Sequence, residues 1–300
     1  MPVKILITGK NGQVGFELQR SLAVLGEVIA VDRSDCDLSD PAAIRELVQR
    51  IRPDIIVNPA AHTAVDKAES EVELATALNT TAPQVLAEEA AKLGALLAHY
   101  STDYVFDGTK EGAYLESDTT NPQSVYGKTK LAGEAAIRAS GCRHLIFRTS
   151  WVFGAHGANF LKTMLRLMQQ RDSLSVVADQ IGAPTSASLI ADVTAQIMAQ
   201  YLRSPDQAQF DFGTFHLVAH GETSWHGYAS LINTIANLQG YTLKVASKDL
   251  KAIPATDYPV PAPRPANSRL NTQKLQDTFG VHLPDWTVGV QQVMTLLKQS

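Results

Sequence analysis

The sequence predicts an α/β protein with a doubly wound parallel sheet and a smaller, irregular α/β lobe at the C-terminal end. Two features of the first 150 residues indicate the sheet: short apolar runs alternate with helical stretches, and a glycine-rich stretch directly follows the first run. Beyond residue 150 the strand candidates become sparser and a proline-rich stretch appears. We therefore expect one domain over 1–150, which can also take in 175–215 and a later segment, and a second lobe formed mostly by 151–300.

The strands of the first domain are predicted from apolar or β-branched runs. These runs are 3–8, 27–32, 54–58, 96–101 and 144–149. Helical spacing of Val14, Leu18 and Leu22 predicts a helix over 12–26, and Pro41 behind Ser39 and Asp40 marks the start of another. Strands in alternation with helices are typical of βαβ units, in which both faces of a parallel sheet are covered.

The C-terminal half contains fewer strands. We expect strands at 174–177 and 214–219 and helices at 188–203 and 225–239. The stretch 252–272 is rich in proline, which removes backbone donors and fixes φ, so most of it cannot be a regular element. A long loop of this kind is typical of a binding loop over a cleft.

Composition excludes several classes of protein. The chain has 300 residues and a formal net charge of −4, whereas nucleic-acid binders normally carry a basic surface. No apolar run approaches the roughly 18 residues of a membrane span. The two cysteines are isolated, so neither a disulfide framework nor a cysteine zinc site is indicated. We expect a cytoplasmic protein that binds neither nucleic acid nor membrane.

The glycine-rich stretch predicts a nucleotide site of the Rossmann type. Gly9, Gly12 and Gly15 lie between the first strand and the first helix, where backbone N–H groups can hold phosphates. Their spacing is G-x-x-G-x-x-G rather than G-x-G-x-x-G. Asp32 ends the next strand, where an acceptor for a ribose 2′-hydroxyl is expected, which favours NADH. Arg33 beside it could attract the 2′-phosphate of NADPH, so both cofactors stay open.

The segment SVYGKTKLAGE contains a tyrosine and a lysine one helical turn apart, Tyr126 and Lys130. An ammonium beside a phenol favours the phenolate, so we expect Lys130 to lower the pKa of Tyr126 toward the range useful for proton transfer. Thr102 ends the fourth strand, where a hydroxyl can point into the ligand crevice of a parallel sheet. Tyr126, Lys130 and Thr102 are therefore the candidate catalytic residues.

The ordered set of glycines, threonine, tyrosine and lysine resembles the extended short-chain dehydrogenase/reductase superfamily. The motifs GKNGQVGFELQ, NPAAHTAVDKAE, HYSTDYVFDG, VYGKTKLAGE, FRTSWVF and RPANSRLNT together resemble the dTDP-4-dehydrorhamnose reductase family, from residue 3 to about 290. The resemblance implies an NAD(P)-binding first domain, a nucleotide-sugar-binding lobe, and the last step of dTDP-L-rhamnose synthesis. Whether the rhamnose enters lipopolysaccharide, such as O-antigen, or another product stays open.

The resemblance also implies roles for single residues. Tyr126 would be the proton donor, Lys130 its electrostatic partner and Thr102 a tuning group. The implied cofactor contacts are Gly9, Gly12, Gln13, Val14, Gly15, Asp32, Asp37, Leu38, Ala61, His62, Thr63, Tyr126 and Lys130. The implied substrate contacts are Thr102, Asp103, Tyr126 and Trp151. Arg264 and Arg269 in the proline-rich stretch could pair with a diphosphate through bidentate hydrogen bonds.

One departure from the family concerns a metal. Family members can bind Mg²⁺ at a dimer contact through three glutamates. Glu17 matches one of them, but Ser188 and Leu296 stand at the other two positions. A hard cation needs several oxygen ligands, so Mg²⁺ is doubtful and we expect no metal and a monomer or a weak homodimer.

The expected reaction is the NAD(P)H-dependent reduction of the C4 ketone of dTDP-4-dehydro-L-rhamnose to dTDP-L-rhamnose. One alternative is a nucleotide-sugar 4,6-dehydratase or epimerase. The dehydratases have a glutamate after Thr-Asp, where this chain has Tyr104. The other alternative is a non-catalytic protein like the regulatory subunit of methionine adenosyltransferase, which resembles this reductase family.

Overall fold

A computed structural model describes residues 2–299 of the chain. The strands are β1 (Lys4–Ile7), β2 (Glu27–Ala30), β3 (Ile55–Asn58), β4 (Leu96–Thr102), β5 (Arg143–Thr149), β6 (Val152–Phe153), β7 (Leu174–Val177), β8 (Ile181–Gly182), β9 (Thr185–Ser186), β10 (Gly213–His216), β11 (Thr223–Ser224) and β12 (Leu250–Ile253). The α-helices are α1 (Gln13–Leu22), α2 (Pro41–Ile51), α3 (Val65–Ala68), α4 (Val72–Thr76), α5 (Ala82–Leu93), α6 (Val125–Ala139), α7 (Phe160–Gln170), α8 (Ala187–Arg203), α9 (Trp225–Leu238), α10 (Gln273–Phe279) and α11 (Trp286–Gln299).

Six parallel strands form the central sheet, in the order β2-β1-β3-β4-β5-β10. The strand order reverses between β1 and β3, and ligands of open parallel sheets bind at such a point, beyond the carboxyl ends of the strands. Every residue of β3 and β4 is buried, which explains the apolar runs at their N-terminal ends, while polar residues follow toward their carboxyl ends. The predicted fold class, a doubly wound parallel sheet, is confirmed.

Helices cover both faces of this sheet because alternate strand residues point to opposite sides. On one face, Ile5 and Val57 pack against α1, α8 and α10. On the other face, Leu6 and Ile56 pack against α2, α5 and α6. The central sheet thus has an apolar core on each side.

A second apolar cluster lies in the C-terminal half. It joins α7, α9 and α11 to the small parallel pair of β7 and β12. The predicted strand 174–177 is therefore real but lies outside the central sheet, whereas 214–219 contributes the edge strand β10. The predicted helix 188–203 is α8, which packs under the central sheet although the chain has already passed through the second cluster.

Several local signals are confirmed in detail. Asp40 caps α2, since its carboxylate accepts from the backbone N–H of Ala42 at 2.8 Å, directly before Pro41. The helix predicted over 12–26 ends earlier, at Leu22. Within the proline-rich stretch only the end of β12 and a 3₁₀ turn at Ala255–Asp257 are regular among the described residues. None of the helices in 2–299 has the length and apolar content to cross a membrane.

Candidate active site

The carboxyl ends of the central strands open into a cavity of about 1080 Å³. Most of the residues predicted for the site line this one cavity. They are Gly9, Gly12, Gln13, Val14, Gly15, Asp32, Asp37, Leu38, Ala61, Thr63, Thr102, Asp103, Tyr126, Lys130 and Trp151. His62, Arg264 and Arg269 are not among the residues that line it. The structure thus gathers both the cofactor candidates and the catalytic candidates around one space.

The glycine loop is built for close backbone approach. Gly9 has φ +61°, and a Cβ at Gly15 would lie 2.1 Å from the Gly9 carbonyl oxygen, so neither position accepts a larger residue without a shift. Gly12 begins α1, and no side chain caps the free N–H groups of its first turn. This uncapped helix start faces the cavity and fits a diphosphate.

Asp32 holds a fixed carboxylate at the end of β2. Its Oδ1 accepts from the backbone and hydroxyl of Ser34 at 2.8 and 2.6 Å, and its Oδ2 accepts from Asn11 Nδ2 at 2.7 Å. These hydrogen bonds from Ser34, with help from Lys10, lower the pKa of Asp32 to about 2. Arg33 points toward Asp37, 3.6 Å away. A carboxylate and two cations therefore lie together just beyond β2, where the sequence predicts the ribose 2′ substituent.

Tyr126 and Lys130 lie on the first turns of α6, which Ser124 caps by accepting from the N–H of Gly127 at 3.1 Å. Lys130 is 2% exposed and runs under the cavity floor. Its Nζ donates to the carbonyl oxygen of Tyr100 at 2.6 Å and lies 3.2 Å from His99 Nε2. The lysine is therefore held by β4 rather than by the hydroxyl of Tyr126.

The prediction that Lys130 lowers the pKa of Tyr126 is wrong for this structure. Burial raises the pKa of the Tyr126 phenol, and a hydrogen bond with Thr102 opposes that rise. Burial lowers the pKa of Lys130 to about 8, with the Glu134 carboxylate acting in the opposite direction. Sequence spacing indicates that two side chains share a helix face, but burial sets the direction of both shifts.

Thr102 and Asp103 continue the site beyond β4. Thr102 Oγ1 donates to Asp103 Oδ1 at 2.9 Å, and both residues are buried. Burial raises the pKa of Asp103 to about 6, while hydrogen bonds from Ser268 and Thr102 favour its charged form. Ser268 belongs to the proline-rich stretch, so that stretch reaches the site through a serine that the sequence did not single out.

Trp151 lines the cavity in a strained conformation. Its φ is +49°, a region that a bulky residue adopts only when its surroundings hold it there. Its ring stacks on Trp225 with centroids 3.6 Å apart and an interplanar angle of 13°. Trp225 also lines the cavity but was missed from sequence, because a tryptophan in an apolar helix pattern is equally compatible with a place in a core.

The three remaining predicted residues have protein partners. His62 Nε2 lies 2.7 Å from Glu71 Oε2. Arg264 pairs with Asp66 at 2.7 Å and donates to the Tyr104 hydroxyl at 3.2 Å, which ties the proline-rich stretch to α3 and to the cavity wall. Arg269 donates to Asn267 Oδ1 at 2.8 Å. Their predicted roles in cofactor or substrate binding remain predictions.

Segment 154–159 lies over the glycine loop and was also missed. Asn159 Nδ2 donates to Gln13 Oε1 at 2.9 Å and to the Gly154 carbonyl at 2.8 Å. The His156 ring stacks on Phe16 with centroids 4.2 Å apart, and its Nε2 lies 3.0 Å from the Asn11 carbonyl oxygen. No sequence motif marks the contacts with Gln13, Phe16 and Asn11, because each joins residues at least 140 positions apart.

The positions discussed for Mg²⁺ meet at a second concavity, on the surface between α1, α8 and α11. Glu17, Ser188 and Leu296 all line it, and Glu17 lies 3.8 Å from the guanidinium of Arg20. Within the described residues no group of three His, Cys, Asp or Glu side chains is placed to hold a metal ion. Of the three matched positions only Glu17 offers a carboxylate, and it lies beside Arg20, so these positions do not fit a hard cation.

Comparison with known proteins gives consistent matches over the whole chain. Residues 3–299 match the family model described as RmlD substrate binding domain. A dTDP-4-dehydrorhamnose reductase of Salmonella typhimurium is 52% identical over 297 residues, which cover 98% of this chain and 97% of that protein. The structure of a Clostridium acetobutylicum dTDP-4-dehydrorhamnose reductase has a TM-score of 0.90 and 37% identity, covering 99% and 100% of the two chains. The Bacillus anthracis enzyme, solved in complex with NADP, has a TM-score of 0.89 and 33% identity, with the same coverage.

Proposed function

The chain belongs to the RmlD substrate-binding-domain family of dTDP-4-dehydrorhamnose reductases, and from this premise we propose that it reduces the C4 ketone of dTDP-4-dehydro-L-rhamnose with NADPH or NADH. The product would be dTDP-L-rhamnose. The observation that carries this proposal is the convergence of the uncapped glycine loop, Tyr126, Lys130, Thr102 and Trp151 on one cavity. The glycine loop and Asp32 provide the fit to a dinucleotide. We therefore assign their end of the cavity to the cofactor.

When bound, a reduced nicotinamide would supply the hydride that adds to C4. The chain itself supplies the proton: Tyr126 gives its phenolic hydrogen to the C4 oxygen as that oxygen gains charge. The raised pKa of the buried Tyr126 keeps the phenol protonated before reaction, as a proton donor requires. Thr102, hydrogen-bonded to Tyr126, would turn its hydroxyl hydrogen from Asp103 to the phenolate that remains, and the Lys130 ammonium one helical turn away would stabilise the charge of that phenolate.

The sugar end of the cavity would be formed by groups from both halves of the chain. Asp103 lies beside Thr102 and offers a carboxyl group to the sugar hydroxyls, while Trp151 and Trp225 form an apolar wall. Aromatic faces commonly pack on sugars or bases, so these tryptophans would exclude water from the reacting carbon. Arg264 and Arg269 would act on the diphosphate only after releasing their present partners.

The test is the Tyr126→Phe variant, assayed by NADPH and NADH oxidation with dTDP-4-dehydro-L-rhamnose and by NMR identification of the product. We expect a loss of about 10²- to 10⁴-fold in kcat, because the proton donor is removed, with cofactor binding nearly unchanged. Tyr114→Phe is the matched control, since Tyr114 is buried and loses a hydroxyl that donates to Asp107, outside the cavity. Near-normal turnover in Tyr126→Phe would contradict the proposed mechanism.

The same assay separates the alternatives. A dehydratase or epimerase recycles its nicotinamide, so it would show no net oxidation of NADPH. Tyr104 stands at the position of the dehydratase glutamate and supplies no carboxylate there. Burial raises the pKa of Tyr104 to about 12, and its hydroxyl accepts a hydrogen bond from Arg264. A non-catalytic regulatory protein would turn over no ketosugar and would copurify with a partner enzyme.

A further inference from the structure

Three buried polar side chains form a line beneath the cavity, from the end of β1 to the catalytic helix. Thr8 directly follows β1, while Asn58 and His99 lie in the neighbouring strands β3 and β4, and each is at most 1% exposed. Thr8 Oγ1 donates to Asn58 Oδ1 at 2.6 Å, and Asn58 Nδ2 lies 3.1 Å from His99 Nδ1. His99 Nε2 then lies 3.2 Å from Lys130 Nζ. This line ends on a residue of the proposed reaction, although none of its three members lines the cavity.

We propose that His99 is a positioning residue for Lys130, holding its Nζ against β4 and controlling whether that nitrogen carries a charge. The inference rests on the proposed function, in which Lys130 stabilises the phenolate of Tyr126. The other fixed contact of Nζ is a backbone carbonyl, that of Tyr100, which always accepts. Of these two hydrogen-bond partners, only the His99 ring can change from accepting to donating, so within this contact pair it is His99 that can favour one protonation state of Lys130 over the other.

The hydrogen bonds between Asn58, His99 and Lys130 couple the charge of Lys130 to the orientation of the Asn58 amide. A neutral imidazole has one acceptor nitrogen, and an ammonium can only donate. When Lys130 is charged, His99 Nε2 must accept, so Nδ1 carries the ring proton. Nδ1 faces the amide nitrogen of Asn58, which also donates, so the ammonium and the amide compete for one acceptor. A half-turn of the amide would bring its oxygen to Nδ1 and its nitrogen to Thr8, and would favour the ammonium.

The other ionisable groups near Lys130 keep their contacts when His99 is replaced. Glu134, one turn further along α6, is fully buried and raises the pKa of Lys130. Arg148 of β5 neutralises Glu134 through contacts of 2.9 and 2.7 Å. Asp103 and Tyr104 act on Tyr126 rather than on Lys130. Burial and the Lys130 charge both hold the His99 ring neutral, since its pKa lies well below the ordinary value.

The experiment compares His99→Leu, which removes the acceptor, with His99→Gln, whose amide oxygen can replace it. For His99→Leu we expect kcat to fall about 10- to 100-fold, and the alkaline limb of the kcat–pH profile to move to lower pH, because the ammonium has lost a partner. His99→Gln should restore most of both. His144→Leu on the neighbouring strand β5 is the control, since that ring hydrogen-bonds the Cys142 carbonyl and lies outside the cavity.

A second readout needs no ketosugar. The ¹⁵N signals of Lys130, assigned through Lys130→Met, should titrate at lower pH in His99→Leu than in the wild type. In the wild type the His99 ring should remain neutral and its ¹⁵N signals should follow the Lys130 titration, which tests the proposal even if His99→Leu does not fold. A Lys130 titration that does not move, an independently titrating His99, or a loss of kcat that His144→Leu reproduces would overturn it. If the ketosugar assay failed in the wild type while Lys130 shifted as expected, the proposed function alone would be at fault.

Discussion

We expect the choice between the two nicotinamide cofactors to depend on Asp32. Its carboxylate is fixed by Ser34 and Asn11, and the pKa of about 2 keeps it charged at every pH of interest. Lys10 lies 3.5 Å from one of its oxygens, and Arg33 is 82% exposed and free to turn. A 2′-phosphate would meet one anion and two cations, whereas a 2′-hydroxyl would meet a ready acceptor.

We predict that Asp32→Ala raises the ratio of kcat/KM for NADPH to that for NADH by about tenfold, because two like charges 4 Å apart repel by about 1 kcal/mol even in water and by more near a protein surface. Steady-state kinetics with both cofactors measures the ratio. Asp172→Ala, at an exposed carboxylate after α7, is the control and should leave the ratio unchanged. A ratio that stays constant or falls in Asp32→Ala would show that this carboxylate does not act on the 2′ position.

At the scale of single elements, a π-helical turn at Ala77–Thr81 positions α6, the helix that carries Tyr126 and Lys130. It lies between α4 and α5 and turns the fully buried Asn79 inward. The Asn79 side chain bonds the backbone N–H and carbonyl of His62 at 2.8 and 3.1 Å and Thr129 Oγ1 at 3.2 Å. It therefore joins the loop after β3 to α6, next to Lys130. His62 therefore has a structural role through its backbone, in the loop after β3.

Gly133 makes this contact possible, and its replacement is the prediction at this scale. A Cβ at Gly133 would lie 2.1 Å from the Asn79 carbonyl oxygen, which belongs to rigid backbone. Gly133→Ala should therefore lower the free energy of unfolding by about 1–3 kcal/mol and reduce kcat by moving α6. Denaturant unfolding and kinetics measure both. Gly154→Ala is the stability control, because its Cβ would meet nothing closer than 3.4 Å; equal stability of the two variants would contradict the prediction.

At the scale of the whole molecule, the sequence signals succeed where structure is local and periodic. The five strands of the first domain, the cap of α2 and the shared helix face of Tyr126 and Lys130 follow from patterns a few residues long. The partner of Arg264 does not, because Asp66 lies 198 positions away. The prediction that the pKa of Tyr126 is lowered failed for the same reason. The shift depends on burial, and burial depends on elements from elsewhere in the chain that pack around the phenol.

The core that each element of the C-terminal half joins could not be predicted from the sequence either. The chain enters the second cluster with α7, returns under the central sheet with α8 and β10, and enters the second cluster again with α9. Apolar periodicity indicates which face of each helix is buried but not which core receives it. Trp225 could be read only as a core tryptophan until α9 placed it against Trp151.

This interleaving brings the two halves into contact at the glycine loop, and Asn159 joins them there. Its Oδ1 caps α7 by accepting from the N–H of Lys162 at 3.1 Å, while its Nδ2 reaches Gln13 and Gly154. Two functions thus share one amide: stability of a helix of the second cluster, and fixation of a side chain on the first turn of α1. Substitutions can separate them, because a serine hydroxyl also caps a helix but is too short to reach Gln13.

We predict that Asn159→Ala lowers the free energy of unfolding by about 1 kcal/mol, because the helix cap is lost. Asn159→Ser should lower it by only about 0.3 kcal/mol, because the serine hydroxyl can also cap the helix. Both variants should bind NADPH about tenfold more weakly, since the hydrogen bond that fixes Gln13 is worth about 0.5–1.5 kcal/mol. Thermal unfolding with and without NADPH measures both quantities, because a ligand that binds only the folded chain stabilises it according to its affinity. Wild-type affinity in Asn159→Ser would mean that the glycine loop is shaped by α1 and β1 alone, and that segment 154–159 lies over it without influence on the cofactor.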